Sequence, residues 1–181
     1  MERRNFLFLL LVIFSISLFT NLKLEFGNTT RDNTTQDNTT QDQLSAHTAK
    51  AIVITCMDFR LIDDAVRYLD RHGYNNNYDE FILAGASLGY NQTTYSAWTE
   101  TLDTHIGLAQ QLHDIKEIIV IDHMNCGAYK ILYNKDSLTE DKELALHKQN
   151  FKIFKNTIKQ KYPTLRVRTL LMKLNGEVAE Y

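Results

Sequence analysis

The residues able to do chemistry fall in two short runs, Cys56-Met57-Asp58-Phe59-Arg60 and His123-Met124-Asn125-Cys126-Gly127. Cys56 and Cys126 are the only two cysteines of the chain. Two thiols and an imidazole are soft-to-borderline ligands of the kind Zn²⁺ prefers in a tetrahedral site. The i, i+3 spacing of His123 and Cys126 on a turn brings both to one point. Gly127 is expected to let the backbone turn tightly into a helix whose N-terminus favours a Cys126 thiolate. If residues 56–60 are extended, Cys56, Asp58 and Arg60 converge while Met57 and Phe59 pack inward. Three protein ligands leave a fourth position for water, or for Asp58, which would close the site. Two other readings stand beside zinc: cysteines as small buried hydrophobes, and a Cys56–Cys126 disulfide.

Such ligands need two chain segments held side by side. Ala51-Ile-Val-Ile-Thr55 and Glu117-Ile-Ile-Val-Ile-Asp122 are short β-branched runs of the kind buried on both faces of a parallel sheet. Phe81-Ile-Leu83 and Val167 to Leu174 are two further strand candidates. Trp98, Leu102, Ile106, Ala109 and Leu112 recur at helical spacing, as do Leu144, His147, Phe151, Phe154 and Ile158 ahead of Pro163. Lys148, Lys152, Lys155 and Lys159 lie away from that second stripe and read as a solvated face. Strands alternating with helices predict an α/β fold: a mostly parallel sheet of four to five strands flanked by helices. Cys56 directly follows the first strand and His123 the Glu117–Asp122 strand. Both therefore fall at the carboxyl edge, where such sheets bind ligands.

The 181 residues are 44% hydrophobic and 23% charged, enough for one packed core. A net charge of −2 gives no general attraction for phosphates and argues against nucleic acid as a partner. Two cysteines exclude a disulfide framework. Residues 1–24 place Glu2, Arg3 and Arg4 before an apolar run from Phe6 to Phe19, as in a signal anchor or a signal peptide. That predicts a membrane-anchored or secreted protein with its domain on the extracytoplasmic side, or a cytoplasmic one if the segment is not a working signal. Residues 25–45 hold three Asn-Thr-Thr repeats over 28–42, themselves without an apolar residue to bury, which reads as a polar linker bearing Asn-x-Thr glycan acceptors. The folded domain is expected over 46–181.

With these residues in place, the chain resembles the β-class carbonic anhydrases, whose signature is Cys-x-Asp-x-Arg after the first strand and His-x-x-Cys-Gly after the third. Ala84-Gly85 matches the family's Ala-Gly pair, and the resemblance is best from Ala51 to Tyr133. It implies that Cys56, His123 and Cys126 bind zinc and that Asp58 and Arg60 form the catalytic dyad. It also implies the lyase reaction of that family, reversible hydration of CO₂ to bicarbonate by a zinc-bound hydroxide. Proton shuttles are sought among His72, His105, His113 and His147. The resemblance further implies a homodimer, and the apolar stretches Leu144–Ile158 and Val167–Leu174 read as surplus surface for one.

Departures from the pattern shape the alternatives. Phe59 stands where the family has a small polar residue, and Leu83 and Ala86 where polar groups often flank Ala-Gly. A more apolar pocket also suits carbon disulfide or carbonyl sulfide. The family's N-terminal helices, which cross a partner subunit, are replaced here by the polar repeat. A non-catalytic zinc-binding or sensing protein and a dithiol redox protein are the other classes. A cysteine phosphatase is set aside, because Cys56 lacks the following phosphate loop.

Overall fold

The computed structural model describes residues 47–133 and 138–181, so the expected N-terminal segment 1–24 and the repeat linker 25–45 lie outside the described residues. Five strands, β1 (Ala51–Thr55), β2 (Tyr78–Ile82), β3 (Glu117–His123), β4 (Arg166–Met172) and β5 (Val178–Glu180), form one sheet in the order β2-β1-β3-β4-β5. The first four run parallel and β5 pairs antiparallel with β4. This is the α/β architecture expected from the sequence, at the upper end of the strand count.

Among the described residues, four α-helices cover the sheet: α1 (Ile62–Arg71), α2 (Ala97–His113), α3 (Gly127–Leu132) and α4 (Glu140–Lys161). Alternation along β1 sends Ile52 and Ile54 into a core with Leu102, Ile106, Phe151, Phe154 and Ile158 of α2 and α4. It sends Ala51 and Val53 the other way, against Ala65 and Leu69 of α1. Both faces are thus buried, which explains why β1 and β3 read as unbroken apolar runs. Acidic residues open α4 at Glu140, Asp141 and Glu143, lysines close it at Lys159 and Lys161, and both ends suit the helix dipole. Among the described residues no helix is long and apolar enough to cross a membrane.

Three expectations move. The strand expected at 81–83 begins at Tyr78, because β2 is an edge strand whose polar first half carries no apolar signal. The one expected to run from Val167 to Leu174 is β4, which ends at Met172; Lys173 turns back through Gly176 (φ 81°), where its N–H bonds the Glu177 carbonyl. The apolar stretches read as surplus for a dimer are used within the chain: Phe151, Phe154, Ile158, Leu170, Leu171 and Met172 are all buried in its own core.

β1 sits between β2 and β3, so the winding reverses at the β1/β3 boundary, and a crevice opens outside the carboxyl ends of those two strands. The Ala84-Gly85 turn after β2 closes one side. Gly85 has φ 74°, and a Cβ there would lie 2.4 Å from Leu88 Cδ1 and 3.2 Å from Ala128 Cβ. Gly85→Ala is therefore expected to cost about 1–3 kcal/mol, from a strained left-handed residue and an overfilled contact. Urea unfolding followed by circular dichroism would check it through a lower midpoint at unchanged slope.

Candidate metal centre

Register between β1 and β3 pairs Thr55 with Ile121, so the chain leaves β1 at Cys56 beside the end of β3. His123 is the last residue of β3 rather than the first residue after it, and is nearly fully buried. Cys126 lies three residues on. The Cys56 and Cys126 Sγ atoms are 3.9 Å apart, and one ligand atom each from Cys56, His123 and Cys126 all fall within 4.8 Å of one another. Both thiols are free.

The turn that delivers Cys126 has Asn125 in the left-handed region, at φ 61°. Asparagine tolerates the left-handed region because its short amide bonds locally, here as acceptor from Lys130 Nζ. Gly127 does not have a positive φ, and no other group lies within 4 Å of where its Cβ would be. Cys126 is the N-cap of α3, and the backbone N–H groups of Ala128 and Tyr129 pull its pKa down as expected of a helix start. They are outweighed. Hydrogen bonding with Cys56, then burial, leaves the Cys126 thiol well above its usual range. The thiolate sits instead on Cys56, lowered to about 4 by the Cys126 hydrogen bond against the opposing effect of burial, with further help from His123 and the Gly85 N–H at 3.3 Å. Burial works to lower the pKa of His123, but its contacts with Cys56 and the Met124 carbonyl prevail and raise it.

Residues 56–60 are not extended. Asp58 caps a 3-10 turn over Phe59–Leu61 and accepts the Arg60 backbone N–H at 3.1 Å. The turn swings Phe59 and Met57 outward, where they are 81% and 67% exposed rather than packed inward. It also folds Arg60 back onto Asp58: Nε donates to Oδ1 at 2.9 Å and Nη2 to Oδ2 at 2.6 Å. This bidentate fork, opposed by burial, lowers the Asp58 carboxyl to about 2. Arg60 Nη2 also donates to the Asn125 carbonyl at 3.1 Å, tying the dyad to the turn that carries Cys126. Asp58 Oδ2 lies 3.7 Å from His123 Nε2, so dyad and ligand cluster are in contact.

The donors fit a metal ion. Tetrahedral zinc with bonds of about 2.3 Å to two sulfurs separates them by about 3.8 Å, close to the observed 3.9 Å. His123 Nδ1 is 2.9 Å from the Met124 carbonyl, which makes it the N–H donor and leaves Nε2 as the lone pair. That Nε2 is buried with no hydrogen-bond partner among the described residues. A buried unpartnered nitrogen facing two thiols is what a ligand set looks like, and it weighs against the two sulfurs as inert core atoms. Two cavities meet at the cluster. One of about 390 Å³ is walled by Met57, Phe59, Tyr95, Trp98, Ile131 and Leu132 and has Asp58, Cys56 and Cys126 at its base. Another, of about 170 Å³, reaches Cys56 and His123 from beside α1.

None of the candidate shuttle histidines lines either cavity. His72 and His105 bond carbonyls of their own helices, His113 pairs with Asp79, and His147 is fully buried. The sequence reading missed the polar groups beneath the cluster, Ser87, Asp122, Tyr129 and Glu143. An acidic residue directly before a ligand histidine was the available signal for Asp122; nothing in the charged run Glu140–Glu143 marks Glu143 as buried.

A family model described as "Putative carbonic anhydrase" matches residues 46–180. An uncharacterized protein of Rickettsia conorii is 41% identical over 133 residues, which cover 73% of this chain and 72% of that one. An uncharacterized protein of Rickettsia bellii is 38% identical over 133 residues, 73% and 81% of the two chains. Among solved structures, the β-carbonic anhydrase isoform I of Trichomonas vaginalis aligns over 99% of this chain and 97% of its own, at 17% identity and a TM-score of 0.49.

The two thiols should behave unlike each other once metal is removed with a chelator. Cys56 is ionised above about pH 4, so its alkylation by iodoacetamide should be nearly constant from pH 8 to 5, where an ordinary thiol of pKa about 8.5 slows about tenfold per unit. Peptide mapping by mass spectrometry reads both sites, and a Cys56 rate that falls with pH like a free thiol's would contradict the assignment.

Proposed function

The chain belongs to the carbonic-anhydrase-like family, and from that premise we propose that it hydrates carbon dioxide reversibly, with zinc held by Cys56, His123 and Cys126. The observation that carries this reading is the convergence of those three donors beside a carboxylate clamped by an arginine. Zinc, when bound, supplies the Lewis acidity that makes water a nucleophile near neutral pH.

The remaining steps belong to this chain's side chains. Asp58 is ionised throughout the physiological range and is the acceptor that takes a hydrogen bond from the attacking water and aims it. Arg60 holds that carboxylate off the ligand cluster with both of its donors, and because Arg60 is anchored to the Asn125 carbonyl the dyad cannot drift from Cys126. The Gly85 N–H offsets part of the Cys56 negative charge. Met57, Phe59, Tyr95 and Trp98 give the incoming molecule an apolar approach that excludes bulk water and strengthens the contacts at the base.

That wall favours a second reading on the same site, hydrolysis of carbon disulfide or carbonyl sulfide. These are linear and apolar like CO₂, whereas a charged product gains little from such a lining.

Stopped-flow CO₂ hydration with a pH indicator tests the first reading, and sulfide release the second. Asp58→Ala should retain zinc and lose about 10²–10⁴-fold in kcat; full kcat in the zinc-loaded variant would make Asp58 a bystander. Arg60→Ala should lose most at low pH. Without the fork the Asp58 pKa returns from about 2 toward the ordinary value of about 3.9, so the ionised carboxylate begins to disappear as pH falls toward 4, and it is free to move onto the ligand cluster. A pH-independent loss would contradict this role.

The cavity rim supports a second copy of the chain as its cover. Phe59, Ile131, Met57 and Ile62 stand well exposed around the crevice, a concentration of apolar groups that a soluble monomer rarely leaves bare. Specific activity should then fall on dilution together with the dimer fraction measured by light scattering. A fully active monomer would remove the partner from the account.

A further inference from the structure

Beneath the ligand cluster, two residues one turn apart on α4 reach the two ends of the same five-residue segment. His147 Nδ1 donates to Asp122 Oδ2 at 2.9 Å, and Asp122 directly precedes His123. Glu143 Oε1 accepts the backbone N–H of Cys126 at 2.9 Å. Segment 122–126 carries two of the three proposed ligands. Glu143 is 4% exposed and His147 0%, and His147 Nε2 lies 4.0 Å from Glu143 Oε1 with no hydrogen-bond partner among the described residues.

The placement is costly unless it does something. Asp122 also accepts from the Ser87 N–H at 2.9 Å, the Ser87 hydroxyl at 2.6 Å and the Tyr129 hydroxyl at 2.6 Å, so its carboxylate is held by four donors. Among the described residues the Glu143 carboxylate has a single hydrogen bond, from the Cys126 N–H. A buried carboxylate with one backbone partner is a poor contributor to stability on its own, but an acceptor oxygen held at 2.9 Å from the Cys126 amide fixes that amide's position. The turn it fixes is the one that Asn125 makes in the left-handed region, which would otherwise relax readily.

We infer that Glu143 is a positioning residue for the metal centre, and that with His147 it forms a two-point clamp from α4 that sets the separation of the His123 and Cys126 ligand atoms. The inference rests on the metal-binding reading above and adds the residues that hold that site in shape. His147 steadies the strand end by way of Asp122. Glu143 steadies Cys126 through its amide, on the side opposite to the Arg60 contact with the Asn125 carbonyl. The clamp acts on metal affinity and on ligand geometry, not on substrate contacts.

The full-length chain, in its wild-type form and as Glu143→Asp, Glu143→Gln and His147→Phe, separates this role from general stability. Glutamine keeps an acceptor oxygen at the same reach, while aspartate keeps the charge but withdraws the oxygen by one methylene. Zinc affinity is read by competition with a chromogenic chelator, and ligand geometry by the visible and thiolate charge-transfer absorption of the cobalt-substituted protein. Glu143→Asp should weaken zinc binding about 10–100-fold and alter the cobalt spectrum, His147→Phe should shift both in the same direction, and Glu143→Gln should restore both nearly to wild type. Wild-type metal binding with Glu143→Asp and His147→Phe variants that match it in affinity and spectrum, whatever their thermal stability, overturns the clamp alone. A wild-type chain that binds neither zinc nor cobalt overturns the metal-centre reading together with it. If Glu143→Asp does not fold, a Glu143→Gln variant that folds but binds zinc as weakly as His147→Phe also overturns the inference.

Discussion

Parallel pairing of β1 with β3, from Ala51 against Glu117 to Thr55 against Ile121, is the constraint on which the site depends. It brings residues nearly seventy positions apart in sequence to the same sheet edge, and it does so at the place where the winding reverses. The pairing is secured by burial on both faces: every residue of β1 and β3 is buried, with α1 on one side and α2 and α4 on the other. A one-residue slip would exchange the two faces of the strand and also separate Cys56 from His123. Core packing and ligand placement are therefore set by the same register.

On that scaffold, charge is arranged in closed local groups. Cys56 and Cys126 share their ionisation so that the thiolate is on Cys56, supported by the Gly85 N–H and by His123. Asp58 and Arg60 form their own pair and touch the cluster without joining it. Asp122 and Glu143 lie underneath with their own donors. Each of these carboxylates has donors of its own, which is how several ionisable side chains occupy a small volume at the end of an apolar sheet.

The strands that turned out to be central were legible in the sequence because burial on both faces leaves an unbroken β-branched run; the edge strand β2 was not, since Tyr78-Asp79-Glu80 has no such pressure. The five chemistry-bearing residues were legible by type and spacing, and the structure brings them together. What failed was local backbone geometry. An extended reading of 56–60 put Phe59 inside, whereas the Asp58 cap and the Arg60 fork are satisfied only if the chain turns there, and Phe59 is carried outward. Gly127 is no special hinge into the helix, since its φ is not positive; the left-handed residue of this turn is Asn125, on the other side of Cys126. Glu143 could not be read from its surroundings, because its burial depends on where the first turn of α4 meets a loop from another part of the chain.

The central claim is that Cys56, His123 and Cys126 bind zinc as a unit beside the Asp58–Arg60 pair. Zinc K-edge X-ray absorption on protein purified under reducing conditions tests it most directly. The expected result is near-stoichiometric metal with two sulfur neighbours at about 2.3 Å, one imidazole nitrogen at about 2.0–2.1 Å and one further light atom. Protein that carries no zinc, or zinc surrounded only by oxygen and nitrogen, would contradict it.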